Sequence, residues 1–253
     1  MKKLLLGAVA ALAIAAPGVA SAQNAYVDLG YSSSEGEVAN IDVEGDGWTL
    51  GGAAAFGGNG GLGTQLDATI GESEDTSTWN VGGHLFTRSE NYLFGGFVNY
   101  GAVEPDGAGG DYNSWTLGLE GQWYASRTTF DWAISYSDAE DLDATFTGAD
   151  VGLTHFVTDN FSIGGGVGFG NVEVAGFDAD TLNYGLGAEY QFASLPISIY
   201  GGWNHFDISD FDTDADTLSV GVRYNFGGTL LERNRSGASL ARGGGIGRFG
   251  GLL

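Results

Sequence analysis

Thr217-Leu218-Ser219-Val220-Gly221-Val222-Arg223-Tyr224-Asn225-Phe226 alternates in strict steps of two. Leu218, Val220, Val222, Tyr224 and Phe226 fall on one side of an extended chain, and Thr217, Ser219, Gly221, Arg223 and Asn225 on the other. Successive side chains of a strand point to opposite faces, so the stretch predicts a strand with one apolar and one polar face. A second copy places Leu182, Tyr184, Leu186, Ala188, Tyr190 and Phe192 opposite Asn183, Gly185, Gly187, Glu189 and Gln191.

Working outward, the alternation recurs in twelve segments: about 24–33, 47–56, 61–71, 77–87, 91–101, 113–124, 127–137, 145–157, 160–170, 181–192, 197–206 and 216–226. Each is near the ~9–11 residues that a tilted strand needs to cross a bilayer. No helical period interrupts them, and Pro17, Pro105 and Pro196 all fall outside the segments, as a hydrogen-bonded sheet requires. The connections alternate too. Those at 57–60, 88–90, 125–126, 158–159 and 193–196 are short; those at 34–46, 72–76, 102–112, 138–144, 171–180 and 207–215 are long and acidic. Short turns at one end, long loops at the other and an even strand number predict an all-β fold, a transmembrane antiparallel up-and-down barrel of about twelve strands.

The competing architecture is a soluble sandwich or lipocalin-like barrel, with its apolar face turned inward. Segment nine argues against it. Ser162, Gly164, Gly166, Gly168 and Gly170 are too small to fill a core, whereas Phe161, Ile163, Gly165, Val167 and Phe169 suit contact with lipid. The glycines there repeat every two residues, so they are not the G-x-G-x-x-G of a nucleotide-binding turn. Aromatic side chains on the apolar parity form two sets. Phe56, Phe94, Trp123, Phe130, Trp132, Phe161, Tyr190, Phe192, Tyr224 and Phe226 lie near the short turns; Tyr31, Trp48, Trp79, Tyr100, Trp115, Tyr136, Tyr184 and Trp203 lie near the long loops. Two such girdles are expected at two membrane interfaces. Phe97 and Tyr200 break the parity and are predicted to point inward.

Composition narrows the function classes. The chain has 253 residues, a formal charge of −23, 46 Gly, three Pro and no Cys. Glycine at 46 of 253 far exceeds the usual fraction of about 7%. With 9 Lys+Arg against 32 Asp+Glu, the electrostatic footprint of nucleic-acid binding is missing. Zero Cys removes disulfides, thiolate catalysis and Cys-based zinc sites. Residues 1–22 read as an export signal: Lys2 and Lys3, an apolar Leu4–Ala16, then Ala20-Ser21-Ala22 as a small-residue cleavage site. The mature chain then begins at Gln23, and residues 23–226 form the barrel.

At this point the chain resembles the Gram-negative outer-membrane β-barrels of porin-like type, over about residues 1–226. The most specific piece is the opening stretch, in which Ser219, Gly221, Tyr224 and Phe226 resemble the family's terminal-strand assembly signal. The resemblance implies a location in the outer membrane among lipid and lipopolysaccharide, and recognition of that strand by the barrel assembly machinery. In the family the signal usually ends the chain, whereas here 27 residues follow Phe226.

By the assigned parity the lumen receives Asp28, Asp67, Glu120, Asp131, Asp150 and Glu189, with His84 and Arg223. A negative wall in a low-dielectric tube favours cations. The alternative is that these acids close the barrel through hydrogen-bonded networks. The abundant inward glycines favour a narrow water-filled path. The expected function is passive diffusion of small hydrophilic solutes, cation-preferring, without a cofactor or bound metal. A non-conducting structural or adhesive barrel is the second reading. The acidic connections, with Glu35, Glu37, Asp42, Glu44 and Asp46, read as solvated loops, or as groups that bridge to lipopolysaccharide through divalent cations or collect cationic solutes. Asp210, Asp212, Asp214 and Asp216 fail as a calcium loop, since Ala215 stands where glycine and Gly221 where glutamate are required.

An omptin-like or lipase-like enzyme is a third class. None of His84, His155 and His205 is followed two residues later by a serine. His205 and Asp207 share a strand face in a way that resembles the omptin Asp/His pairing, but His205 has the lipid-facing parity of Ile199 and Trp203. The tail at 227–253 is Gly- and Arg-rich, with Arg233, Arg235, Arg242 and Arg248 against Glu232. It is expected to lie unstructured on the periplasmic side; the alternative is that it folds back into the acidic lumen as a gate.

Overall fold

A computed structural model of the chain describes residues 24–38, 41–58, 60–107, 110–209 and 213–241. The export segment at 1–22 and the last twelve residues of the tail lie outside the described residues, as do Asp210 and Asp212.

Twelve strands follow one another: β1 (Asn24–Val38), β2 (Ile41–Gly57), β3 (Leu62–Ser73), β4 (Thr76–Arg88), β5 (Tyr92–Pro105), β6 (Tyr112–Ala125), β7 (Thr128–Ala139), β8 (Ala144–Thr158), β9 (Phe161–Val174), β10 (Phe177–Gln191), β11 (Ile197–Ile208) and β12 (Thr213–Phe226). Each pairs antiparallel with its sequence neighbours, and β12 returns to β1 to close the barrel. Closure satisfies every strand edge, which a bilayer without hydrogen-bonding solvent demands. The expected alternation holds around the ring. Leu29, Leu66, Leu85, Val98, Leu117 and Leu218 present more than half of their surface or nearly so. Both girdles form, with cross-strand ring pairs such as Trp123–Phe130 at 5.4 Å at the short-turn end and Trp79–Tyr100 at 5.6 Å at the other.

The connections correct the expected picture. Residues 34–46 are not a loop, because β1 and β2 continue in register through Glu35↔Glu44 and Glu37↔Asp42 to Val38↔Ile41. At 171–180 the pairing runs to Val174↔Phe177, leaving only Ala175 and Gly176 to turn, both at positive φ (52° and 83°). A two-residue turn of that kind follows the twist of the strands it joins, and glycine takes its conformation without strain. Beyond the apolar band both faces of a hairpin meet water, so acids on either face no longer interrupt pairing. Period-two reading recognises a strand only where one face is apolar, so these arms were invisible to it.

The tail is a second correction. Gly227 and Gly228, both at positive φ, reverse the chain after Phe226. Helix α1 (Leu230–Ser236) begins under a capping box: Thr229 accepts from the Glu232 amide, and the Glu232 carboxylate accepts from the Thr229 amide (2.8 Å). Residues 227–241 thus fold into the short-turn mouth of the barrel rather than lying unstructured beyond it. Leu240 packs with Phe86, Leu93 and Tyr124, and Ala238 with Tyr26, Ala53 and Ala55.

The inward glycines are also partly occupied. Phe97 lies over Gly118, Tyr200 over Gly30 and Gly221, and Phe146 over Gly148 and Gly170, so a Cβ at those positions would strike a ring. Phe97 and Tyr200 therefore do point inward.

Candidate functional site

Parity carries the polar residues into the lumen. Asp28, Asp67, His84, Glu120 and Asp150 are buried; Glu189 and Arg223 are half-buried; Asp131 is half-buried and shares the inward parity of Thr129 and Ala133. They do not form a single row of free acids. His84 bridges two carboxylates, with Nε2 at 2.9 Å from Asp67 Oδ2 and Nδ1 at 2.6 Å from Glu120 Oε1. Arg223 is the hub of another group. Its Nε and Nη2 donate to Asp28 Oδ2 (3.1 and 2.9 Å) and its Nη1 to Glu189 Oε2 (2.8 Å). The same guanidinium lies 4.2 Å from the Tyr26 ring centre and 5.0 Å from that of Tyr200. Burying Asp28 this way is tolerable because Arg223 supplies a hydrogen-bonded counter-charge.

Glu189 links this hub to the tail, since its other oxygen accepts from Arg233 Nη2 at 3.4 Å. Many of the remaining tail contacts come from inward residues that sequence reasoning passed over. Gln65 exchanges two hydrogen bonds with the Leu240 backbone (3.0 and 3.2 Å), as a paired strand would. Gln122 donates to the Ser239 carbonyl (3.1 Å) and Gln191 to the Gly228 carbonyl (3.0 Å). Arg88 donates to the Gly237 carbonyl (2.9 Å), and Arg235 donates to the Ser126 carbonyl (2.9 Å) and to Thr129. The available signal was three inward glutamines near the short-turn ends of β3, β6 and β10, side chains able to imitate a peptide group.

Above this floor the lumen holds a cavity of about 690 Å³, bounded below by Leu230, Arg233, Asn234, Ser239 and Leu240. The assembly-signal residues lie along the closing seam. Ser219 donates to the Gly202 carbonyl (3.4 Å), Gly221 sits beneath Tyr200, and the outward rings of Tyr224 and Phe226 meet edge to face at 4.9 Å. His205 pairs with Asp216 (3.2 Å), to which Trp203 also donates (2.9 Å), rather than with Asp207. His205, Asp214 and Asp216 could together offer ligand atoms to a cation.

A closed barrel with two aromatic girdles, an apolar outer band and a polar lumen defines an outer-membrane β-barrel protein. Residues 89–226, more than half of the chain, match the family described as outer membrane protein beta-barrel domain, and the chain belongs to that family. No curated protein matches it in sequence. Among solved structures, it is similar to the translocator domain of the autotransporter NalP from Neisseria meningitidis: 15% identity, TM-score 0.54, covering 85% of this chain and 93% of that one. It is also similar to the COG4313 outer membrane channel from Pseudomonas putida F1: 12% identity, TM-score 0.63, covering 80% and 95%. The KdgM porin is a third: 10% identity, TM-score 0.54, covering 79% and 99%. At such identities the likeness is one of fold.

Proposed function

We propose that this protein is a channel for passive diffusion of small hydrophilic solutes, cation-preferring, with its own tail as a displaceable floor. The observation that carries the reading is the cavity of about 690 Å³ inside the closed ring. Porins and channels among the neighbours support it. No catalytic step is assigned. The His84 ring is held between two acids, His205 faces outward beside Asp216, and His155 meets Thr128. The second reading, a non-conducting structural or adhesive barrel, is favoured by the floor itself. Lipopolysaccharide around the acidic hairpins, and the barrel assembly machinery at Ser219–Phe226, are the partners the reading implies.

Because most inward acids are tied into the His84 and Arg223 groups, cation preference is assigned chiefly to the hairpins. Glu35, Glu37, Asp42 and Glu44 crowd one arm in facing pairs. Reversal potentials under a KCl gradient should show K⁺ favoured over Cl⁻ at low salt. The preference should fade toward 1 M, where the Debye length shrinks to about 3 Å. Changing those four to Gln or Asn should reduce it, and Asp67→Asn with Glu120→Gln should matter less. A channel preferring Cl⁻ would refute the electrostatics.

Orientation follows from the same reading: short turns and both barrel ends face the periplasm, and hairpins face outward. A single Cys replacing exposed Asp141 should react with an impermeant maleimide on intact cells. One replacing exposed Glu90 should react only once the outer membrane is opened. The reverse pattern inverts the topology.

A further inference from the structure

Beyond the girdle at the long-loop end, the two faces of the sheet exchange character. Among the described residues, every carboxylate of the paired strands there shares the outward parity of Tyr31, Trp48 and Leu218, from Glu35 and Glu37 on β1 to Asp214 and Asp216 on β12. None of the nine Lys and Arg lies on these hairpins. The inner face of the same paired hairpins carries no charge. Among its Ser, Thr and Gly stand apolar side chains: Val103, Ala139, Ala144, Phe146 and Val172 border the cavity. At two hairpin tips the inward parity continues through Val38↔Ile41 and Val174↔Phe177.

Two contacts agree with this orientation. Phe146 lies over Gly148 and Gly170 of the inner wall. Asp138 borders the cavity, yet its carboxylate accepts from the outward Tyr136 hydroxyl (3.4 Å). In the membrane band lipid accounts for an apolar exterior. No lipid accounts for an apolar interior above it, where Ile41 and Phe177 are 66% and 69% exposed. Apolar faces left open to water in this way mark binding sites.

We propose that the long-loop mouth of the barrel binds a small organic cation with an apolar body, of arylalkylammonium type. The inference goes beyond the channel reading and does not depend on conduction. Two properties of the mouth select the occupant. Its inner wall takes apolar surface out of water, and the half-buried Phe146 ring offers a π-face to a cation. The carboxylates behind that wall, with no Lys or Arg among them, make the mouth negative. The Debye length of about 10 Å at 0.1 M salt is on the order of one sheet's thickness, so their field reaches the inner side. Apolar anions are repelled, and hydrophilic cations gain nothing from the wall. At the lower end of the cavity Glu189 is already held by Arg223 and Arg233 (2.8 and 3.4 Å), so the selecting charge lies in the hairpins. A 690 Å³ cavity is within the ordinary range of small-molecule sites, roughly 300–1,000 Å³.

The test is binding of benzyltrimethylammonium, ethanolammonium and phenylacetate to the refolded full mature chain in maltoside micelles. Saturation-transfer NMR reads it, with empty micelles as reference, and heat-modifiable migration confirms that each variant forms the barrel. Benzyltrimethylammonium should bind, and the other two should bind roughly tenfold more weakly or not at all. Phe146→Asn should weaken binding about tenfold. The Val103→Thr/Val172→Thr pair, which keeps side-chain shape, should weaken it severalfold. Changing Glu35, Glu37 and Glu44 to Gln and Asp42 to Asn should weaken it at low salt and flatten its salt dependence. Phenylacetate binding as well as benzyltrimethylammonium would overturn the proposal. So would no signal above empty micelles, or unchanged signals in both folded wall variants. Ethanolammonium binding equally well would also overturn it, because the outer acids alone would then be the site. A chain that binds the arylammonium but never conducts upholds this inference and defeats the channel reading.

Discussion

A chain ending at Phe226 should conduct roughly tenfold better in planar bilayers than the full mature chain, because its narrowest section is removed. The ring is complete without the tail, since β12 ends at Phe226 with both neighbours paired. What truncation removes is the floor. Leu240 sits among Phe86, Leu93 and Tyr124, and residues from Gly228 to Leu240 bond to β3, β4, β6, β7 and β10. Each such bond contributes only about 0.5–1.5 kcal/mol net, so the floor is held by many weak ties rather than by one strong one. Heat-modifiable migration should be retained. Equal conductance with and without the tail would reject the floor as the limiting section, and no current from either would favour the structural barrel.

The second large effect is expected at Arg223. Arg223→Met keeps much of the side chain's length but removes the charge shared by Asp28 and Glu189. The Asp28 carboxylate is 2% exposed, so it would face a low-dielectric wall without its guanidinium. Removing one partner of a buried pair typically costs about 3–5 kcal/mol. The urea midpoint of the refolded barrel should fall accordingly, and adding Asp28→Asn should recover part of the loss by removing the buried charge that Arg223 had balanced. Glu189 would also be free to draw Arg233, so the tail should not be released by Arg223→Met alone. An unchanged midpoint would show that the hub is spectator chemistry.

The barrel was legible because lipid on one side and water on the other impose a period of two. That physics also placed Asp28, His84, Glu120 and Arg223 inside. Pairings among them were not legible: Asp67 meets His84 and Glu120 meets it from the other side, contacts fixed by strand register rather than by any local pattern. The inward turn of Phe97 and Tyr200 showed as broken parity, whereas Phe86, Tyr124 and Phe156 sat on the inward parity unremarked. The tail was the least legible part. Seven helical residues are too few to display a 3.6 period, and its contacts join Leu240 to Gln65 across 175 positions. Nothing local marks a segment whose binding surface is assembled from distant strands.

The seam between β1 and β12 also sets an order of events. Every other pairing joins neighbours in sequence, whereas the seam brings Ala25 to Phe226 across some two hundred positions. Such a contact carries the greatest loop-closure entropy of any pairing in the barrel. The tail leaves the chain just after that strand, and its partners include Asn24 from β1 and Gln65, Arg88 and Gln122 from further round the wall. Its docking surface exists only once the sheet has rolled shut. Residues 227–241 are therefore expected to dock last, and their protection from protease should date the completion of the barrel.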